Sequence, residues 1–298
     1  MEMPDEIAGR QVVLWALVGS QNYGLATRSS DEDHMAFVVP LFEDLYRGRA
    51  YHSQTVTLTD DLMVHDVRKV PDLLWKSNPS FMEMLFSRDV RVPDTFAAPY
   101  IRRILSMRED IAAMNLPVMW RTTMGMHIAR MGRLERGTES NQPLVDRYGY
   151  DTKQAMHAIR SLWVLRKFAD SDFSDFGSAI AATTEERESL LAIKSGRFTL
   201  EGFREYAERT LGETERLKPL FEGAEPDRDT FSELDARSWT WSGTPSTRSK
   251  RFEKGAGDRP RLHSIHLGRV DEHHLLVRGQ AVDLGLGPVV AGYVPLFV

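Results

Sequence analysis

The chain has 298 residues, no cysteine, a formal charge of −5 and 42% hydrophobic residues. That composition supports a real apolar core and excludes a globally disordered chain, a disulfide framework, thiolate metal sites and a cysteine nucleophile. The mild net acidity argues against a protein dedicated to coating DNA but leaves room for a local basic groove.

The first residues, MEMPDEIAGR, are acidic where a secretory signal would be basic. The apolar run from Val12 to Val18 falls far short of the roughly 20 residues that cross a bilayer. A cytoplasmic protein with no membrane partner is the expectation. Residues 11–18, QVVLWALV, lack polar alternation and predict a buried central strand ending at Gly19-Ser20. Glu32 to Val39 predicts a second strand, stopped by Pro40. Residues 54–66, QTVTLTDDLMVHD, predict two short strands around a turn at Asp60-Asp61. A helical pattern starts at Val67, and Asn78-Pro79 opens another helix, with Asn as N-cap and Pro in the first turn.

Residues 98–222 read as mostly helical. The clearest helix runs from Thr152 to Ala169, with Ala155, Met156, Ile159, Leu162, Trp163 and Phe168 at helical spacing. Residues 184–194 and 200–219 are also amphipathic, separated by Ser195-Gly196. After Gly223 the composition changes. Residues 240–262 are rich in Ser, Thr, Gly, Pro and Arg and read as a linker, and the last stretch suggests a few strands. The expected organisation is α+β: residues 1–97 with a short mixed sheet, 98–222 helical, and 223–298 of unknown role.

The segment from Gly19 to Asp33, GSQNYGLATRSSDED, carries the chemistry. Gly19 permits a sharp turn close to a ligand. Ser20 and the amides after it can donate to phosphate oxygens, above all if a helix starts there. Asp31 and Asp33, two apart on a strand, point to one face. Adjacent carboxylates repel unless a cation lies between them, and magnesium suits a site where a triphosphate supplies the remaining oxygens. Taken alone, the two aspartates could be turn residues entering a strand.

This segment resembles the GSxxYGL…SDxD signature of polymerase-β-superfamily nucleotidyltransferases, with Tyr23 inside it. More narrowly, the chain resembles the RNA-ligase-associated (RlaP-type) family over roughly residues 10–220. Two further stretches carry that likeness. One is residues 64–87, with Asn78, Pro79 and Glu83 in an NPxxxE pattern. The other is residues 149–163, where Lys153, His157 and Arg160 match a Lys-x-x-x-His-x-x-Arg helix.

The resemblance implies transfer of a nucleoside monophosphate from an NTP, with two Mg²⁺ (or Mn²⁺) ions on three carboxylates. It implies Gly19, Ser20, Tyr23, Lys153, His157 and Arg160 at the nucleotide, and Asp31 and Asp33 as catalytic metal ligands. The third acid would lie on the strand before the NPxxxE stretch. Asp66 is the expected residue, against the reading that it is only a helix N-cap, and Asp60 and Asp61 are the alternatives. An RNA end, such as that of a tRNA, is the implied acceptor. A protein hydroxyl, as in adenylylation or a toxin–antitoxin pair, and a silent nucleotide-binding regulator are the alternatives. The base preference and oligomeric state are not legible.

Overall fold

The computed structural model describes residues 1–28, 30–56, 60–138 and 141–234, together with the strand backbone at 274–277 and 280–283. Its centre is the apolar run read above. Strand β2 (Arg10–Val18) lies between β1 (Glu6–Ile7) and β3 (Glu32–Val38), and pairs also with β6 (Val90–Arg91). Strands β4 (His52–Val56) and β5 (Asp60–Asp66) complete the sheet in the order β1-β2-β3-β5-β4. The β3–β5 pair is parallel and the other pairs are antiparallel, so the sheet is mixed. Asp60 and Asp61 open β5 rather than forming the turn expected of them.

The two faces of the sheet differ. Ala16, Val18, Met35 and Phe37 belong to a large cluster shared with the helices. Val12, Trp15, Ala36, Val38 and Val64 form a small cluster on the other face, under Met3, Ile7, Tyr51 and Leu62. An irregularity between Val12 and Leu14 shifts the β2–β3 register. It explains how Val12 and Trp15, three apart, share a face.

The helices are α1 (Phe42–Tyr46), α2 (Val70–Trp75), α3 (Pro79–Met82), α4 (Ala98–Ser106), α5 (Arg108–Ala113), α6 (Leu116–Met131) and α7 (Gln142–Tyr148). They continue with α8 (Thr152–Asp170), α9 (Phe176–Ile180), α10 (Thr184–Lys194), α11 (Leu200–Glu215), α12 (Lys218–Glu222) and α13 (Arg228–Leu234). Asn78 caps α3 as expected, its side chain accepting from the Ser80 amide at 2.9 Å. Asp151 caps α8 through the Gln154 amide. Helix α8 is buried on most of its circumference, since α6, α9, α10 and α11 all pack on it. The helical layer runs past Gly223 to Leu234, because Asp227 caps α13 through the amides of Asp229 and Thr230.

The chain divides into two compact units, Met1–Ser246 and Thr247–Val298. In the second, β7 (His274–Val277) pairs antiparallel with β8 (Gln280–Asp283). The linker-like segment 240–262, His263, His266, His273 and the LGLGP stretch at 284–288 lie outside the described residues. Among the described residues no helix is long and apolar enough to cross a membrane.

Candidate active site

At the end of β2 the chain enters a 3-10 turn, Gly19–Gln21. Gly19 has φ +73°, and a β-carbon there would run into the Asp33 carboxylate. Only glycine satisfies both conditions. The Gly19 carbonyl accepts from the amides of Asn22 and Tyr23 at 3.1 and 3.3 Å, whereas the Ser20 and Gln21 amides take no partner among the described residues. Two free donors therefore sit at the start of the turn. The Gly19 amide is already engaged, donating to Glu83 Oε2 at 2.9 Å.

The carboxylates follow from register. Asp33 lies opposite Asp61 across the parallel β3–β5 pair, and opposite Val18 across β2–β3. Asp33, Met35 and Phe37 pair with Asp61, Met63 and His65, so these residues share the helix-covered face. Burial pushes the Asp33 carboxyl above its ordinary range, and the negative charges of Asp61 and Asp31 add to this. Lys153 and Arg160 pull it back down. Asp33 and Asp61 thus lie together beside the Gly19 turn, whereas Asp31 precedes β3, is exposed, and joins them as a nearby charge rather than on the expected shared strand face.

Asp66 is not with them. It pairs with Val38 at the far end of β5 and shares its face with Leu62 and Val64, the small-cluster side. Five strand residues from Asp61 amount to about 16 Å. Its carboxylate is fully buried, accepts from the Arg68 amide at 2.9 Å, and forms an ion pair with the Arg68 guanidinium at 2.6 Å. Asp66 is the N-cap of the turn Val67–Lys69. The expected convergence of Asp66 with Asp31 and Asp33 is therefore replaced by that of Asp61, one of the alternatives.

Opposite the carboxylates stands the stripe on α8. Lys153 is exposed and Arg160 half-buried, and both act on Asp33 electrostatically. The Arg160 guanidinium lies over the Tyr23 ring, 3.6 Å from its centroid. Tyr23 itself is in the core and supports Arg160 from below. Burial, reinforced by Arg160, Arg130 and Lys153, holds His157 well below its ordinary pKa, and its Nδ1 has no hydrogen-bond partner. His157 is therefore a neutral imidazole between fixed cations.

Two cations absent from the sequence reading join this group. Arg130 of α6 donates to Ser161 Oγ at 2.5 Å and to the His157 carbonyl at 3.3 Å. Burial, with Arg160 nearby, lowers it to about 10. Lys194, ending α10, is lowered by burial and by Lys153, and attracted by Asp31. Arg130, Lys153, Arg160 and Lys194 form no ion pair within 4.0 Å among the described residues. A shallow cleft beside the Arg160–Tyr23 pair is lined also by Leu25, Trp163, Lys167 and Glu186.

Among the described residues no three acidic or imidazole side chains form a ready metal cage. The three aspartates instead offer an excess of negative charge facing unpaired cations. Such a set suits a divalent ion that takes its other ligands from a polyphosphate.

No curated protein matches the chain at a significant level. The family model RlaP, "RNA repair pathway DNA polymerase beta family", matches residues 4–237, well over half of the chain, and the protein belongs to that family.

Proposed function

We propose that the protein transfers a nucleoside monophosphate from an NTP to a hydroxyl at an RNA end, releasing pyrophosphate. The observation that carries this reading is the placement of Asp33 and Asp61 in direct register beside the Gly19 turn, facing Lys153 and Arg160. Family membership supports nucleotidyl transfer in general. The RNA acceptor and the metal are our assignment.

The Ser20 and Gln21 amides hold the terminal phosphates, with Lys153, Arg160 and Lys194 neutralising their charge. Asp31, Asp33 and Asp61 would hold Mg²⁺ or Mn²⁺, which when bound stabilises the attacking and leaving oxygens. The acceptor oxygen forms a bond to the α-phosphorus while the bond from that phosphorus to the bridging oxygen breaks. Pyrophosphate leaves with that bridging oxygen. Asp61, on β5, takes the hydroxyl proton. His157, held neutral, adds no charge to the site.

Incubating the protein with each α-³²P-labelled NTP, Mn²⁺ or Mg²⁺, and either total RNA or RNase-treated lysate tests the reading. Label in RNA of defined end structure is the expected result. Label only in protein would replace the RNA acceptor with a protein hydroxyl, and label in neither would overturn transfer.

A further inference from the structure

Glu83 is 4% exposed, at the start of the 3-10 turn Glu83–Phe86. Its Oε2 accepts from the Gly19 amide at 2.9 Å and from Asn22 Nδ2 at 3.3 Å. Asn22 is itself clamped, donating to the Leu17 carbonyl at 2.9 Å and accepting from the Arg88 amide at 3.2 Å. Glu83 therefore fixes the peptide that opens the turn. It also acts electrostatically on Arg160, the cation stacked on Tyr23, and on Asp33.

Hydrogen bonding alone does not explain a carboxylate at this position. The amide oxygen of a glutamine would accept from the same two donors without burying a charge. Glu83 forms no ion pair within 4.0 Å among the described residues, so its charge is buried without a direct counter-ion. Such a charge is unfavourable for the fold. A group that burdens the fold, where a neutral isostere would satisfy the same bonds, is expected at a functional site.

We propose that Glu83 is a positioning residue for nucleotidyl transfer, whose negative charge holds Arg160 against the Gly19 turn and beside Asp33. This rests on the transfer reading given above. With the charge in place, Arg160 stays on the floor of the site, where a triphosphate finds it pre-oriented. Without the charge, the turn persists but Arg160 is released toward solvent.

The test compares wild type, Glu83→Gln, Arg160→Ala and the double variant at pH 8, by NTP KM, kcat and thermal melting. Glu83→Gln is expected to melt no lower than wild type, yet to raise the NTP KM about tenfold, the scale of one charge-assisted contact. The double variant should be no worse than Arg160→Ala, because Glu83 acts through Arg160. A Glu83→Gln protein with wild-type KM and kcat overturns the proposal, as does a penalty fully additive with that of Arg160→Ala. A Glu83→Gln chain that does not fold overturns it too, since the argument requires the neutral isostere to be at least as stable. Absence of transfer by wild type under the same conditions overturns the transfer reading itself. Transfer by wild type with an unaffected Glu83→Gln overturns only the role of Glu83.

Discussion

Asp33 and Asp61 face each other across the parallel β3–β5 pair, on the same side of the sheet as the stripe of α8. Each raises the electrostatic cost of the other, so a divalent cation between them should stabilise the fold. Mn²⁺ or Mg²⁺ added to wild type is expected to raise the melting temperature, by RT ln(1 + [L]/Kd) in free energy. Asp33→Asn should remove that response and reduce transfer at least about 100-fold. Differential scanning fluorimetry across a metal titration checks it. A metal-induced shift that survives in Asp33→Asn contradicts the assignment.

Gly19 permits no side chain. Gly19→Ala meets the Asp33 carboxylate and occupies a left-handed backbone conformation, which by itself costs about 1–2 kcal/mol. The variant should lose most transfer and melt lower. Ser20→Ala should lose at most about tenfold, since one neutral hydrogen bond contributes about 0.5–1.5 kcal/mol. Side-by-side kinetics and melts read the difference, and equal mild effects would contradict the close approach of Gly19 to Asp33.

The cations of α8 and α10 should serve the nucleotide. Lys153→Ala, Arg160→Ala and Lys194→Ala are each expected to raise the NTP KM about 10- to 100-fold at low salt, with smaller effects at high salt. Lys218, far along the chain and paired with Glu222 at 3.8 Å, is the control whose replacement should leave KM unchanged. Initial-rate measurements at two ionic strengths test the set.

Glu83 predicts a pH dependence of stability. Burial raises its carboxyl from an ordinary value of 4.5 to about 7. An acid whose pKa is raised in the fold contributes stability that is fully present below the unfolded value and lost as pH rises through the folded one. The contribution is therefore present at pH 4.5 and gone above pH 7, a difference on the order of 3 kcal/mol. Glu83→Gln removes this dependence. Melting curves from pH 5 to 8.5 should show the gap between Glu83→Gln and wild type growing with pH in favour of the variant.

The parts of the site carried by contiguous sequence are legible without a structure. The apolar strand, the Gly19-Ser20 turn and Asp33 on β3 are fixed locally, by strand alternation and by the φ that only glycine adopts, whereas Asp31 precedes β3 and is not placed by alternation. The spacing of Lys153 and Arg160 is likewise set by one helix. The third carboxylate is not fixed locally. Asp60, Asp61 and Asp66 all lie on β5, and only its pairing with β3 decides which end and which face meet Asp33. Asp66 draws attention because it precedes a helical pattern, yet that position makes it a cap for Val67–Lys69 and a partner for Arg68. Arg130 and Lys194 escape a sequence reading because they reach the site through packing of α6 and α10 on α8. Tyr23 lies in the recognisable motif, but its burial beneath Arg160 shows only in three dimensions.

The account stands or falls on which aspartate of β5 serves the site. Transfer of α-³²P label to RNA by Asp61→Asn and Asp66→Asn, each checked for folding by its melting curve, is the direct measurement. Asp61→Asn should keep its fold and lose transfer at least about 100-fold. Asp66→Asn should melt lower, by about 1–3 kcal/mol for the weakened Arg68 contact, and transfer at close to the wild-type rate. An active Asp61→Asn, or a folded but inactive Asp66→Asn, would contradict the account.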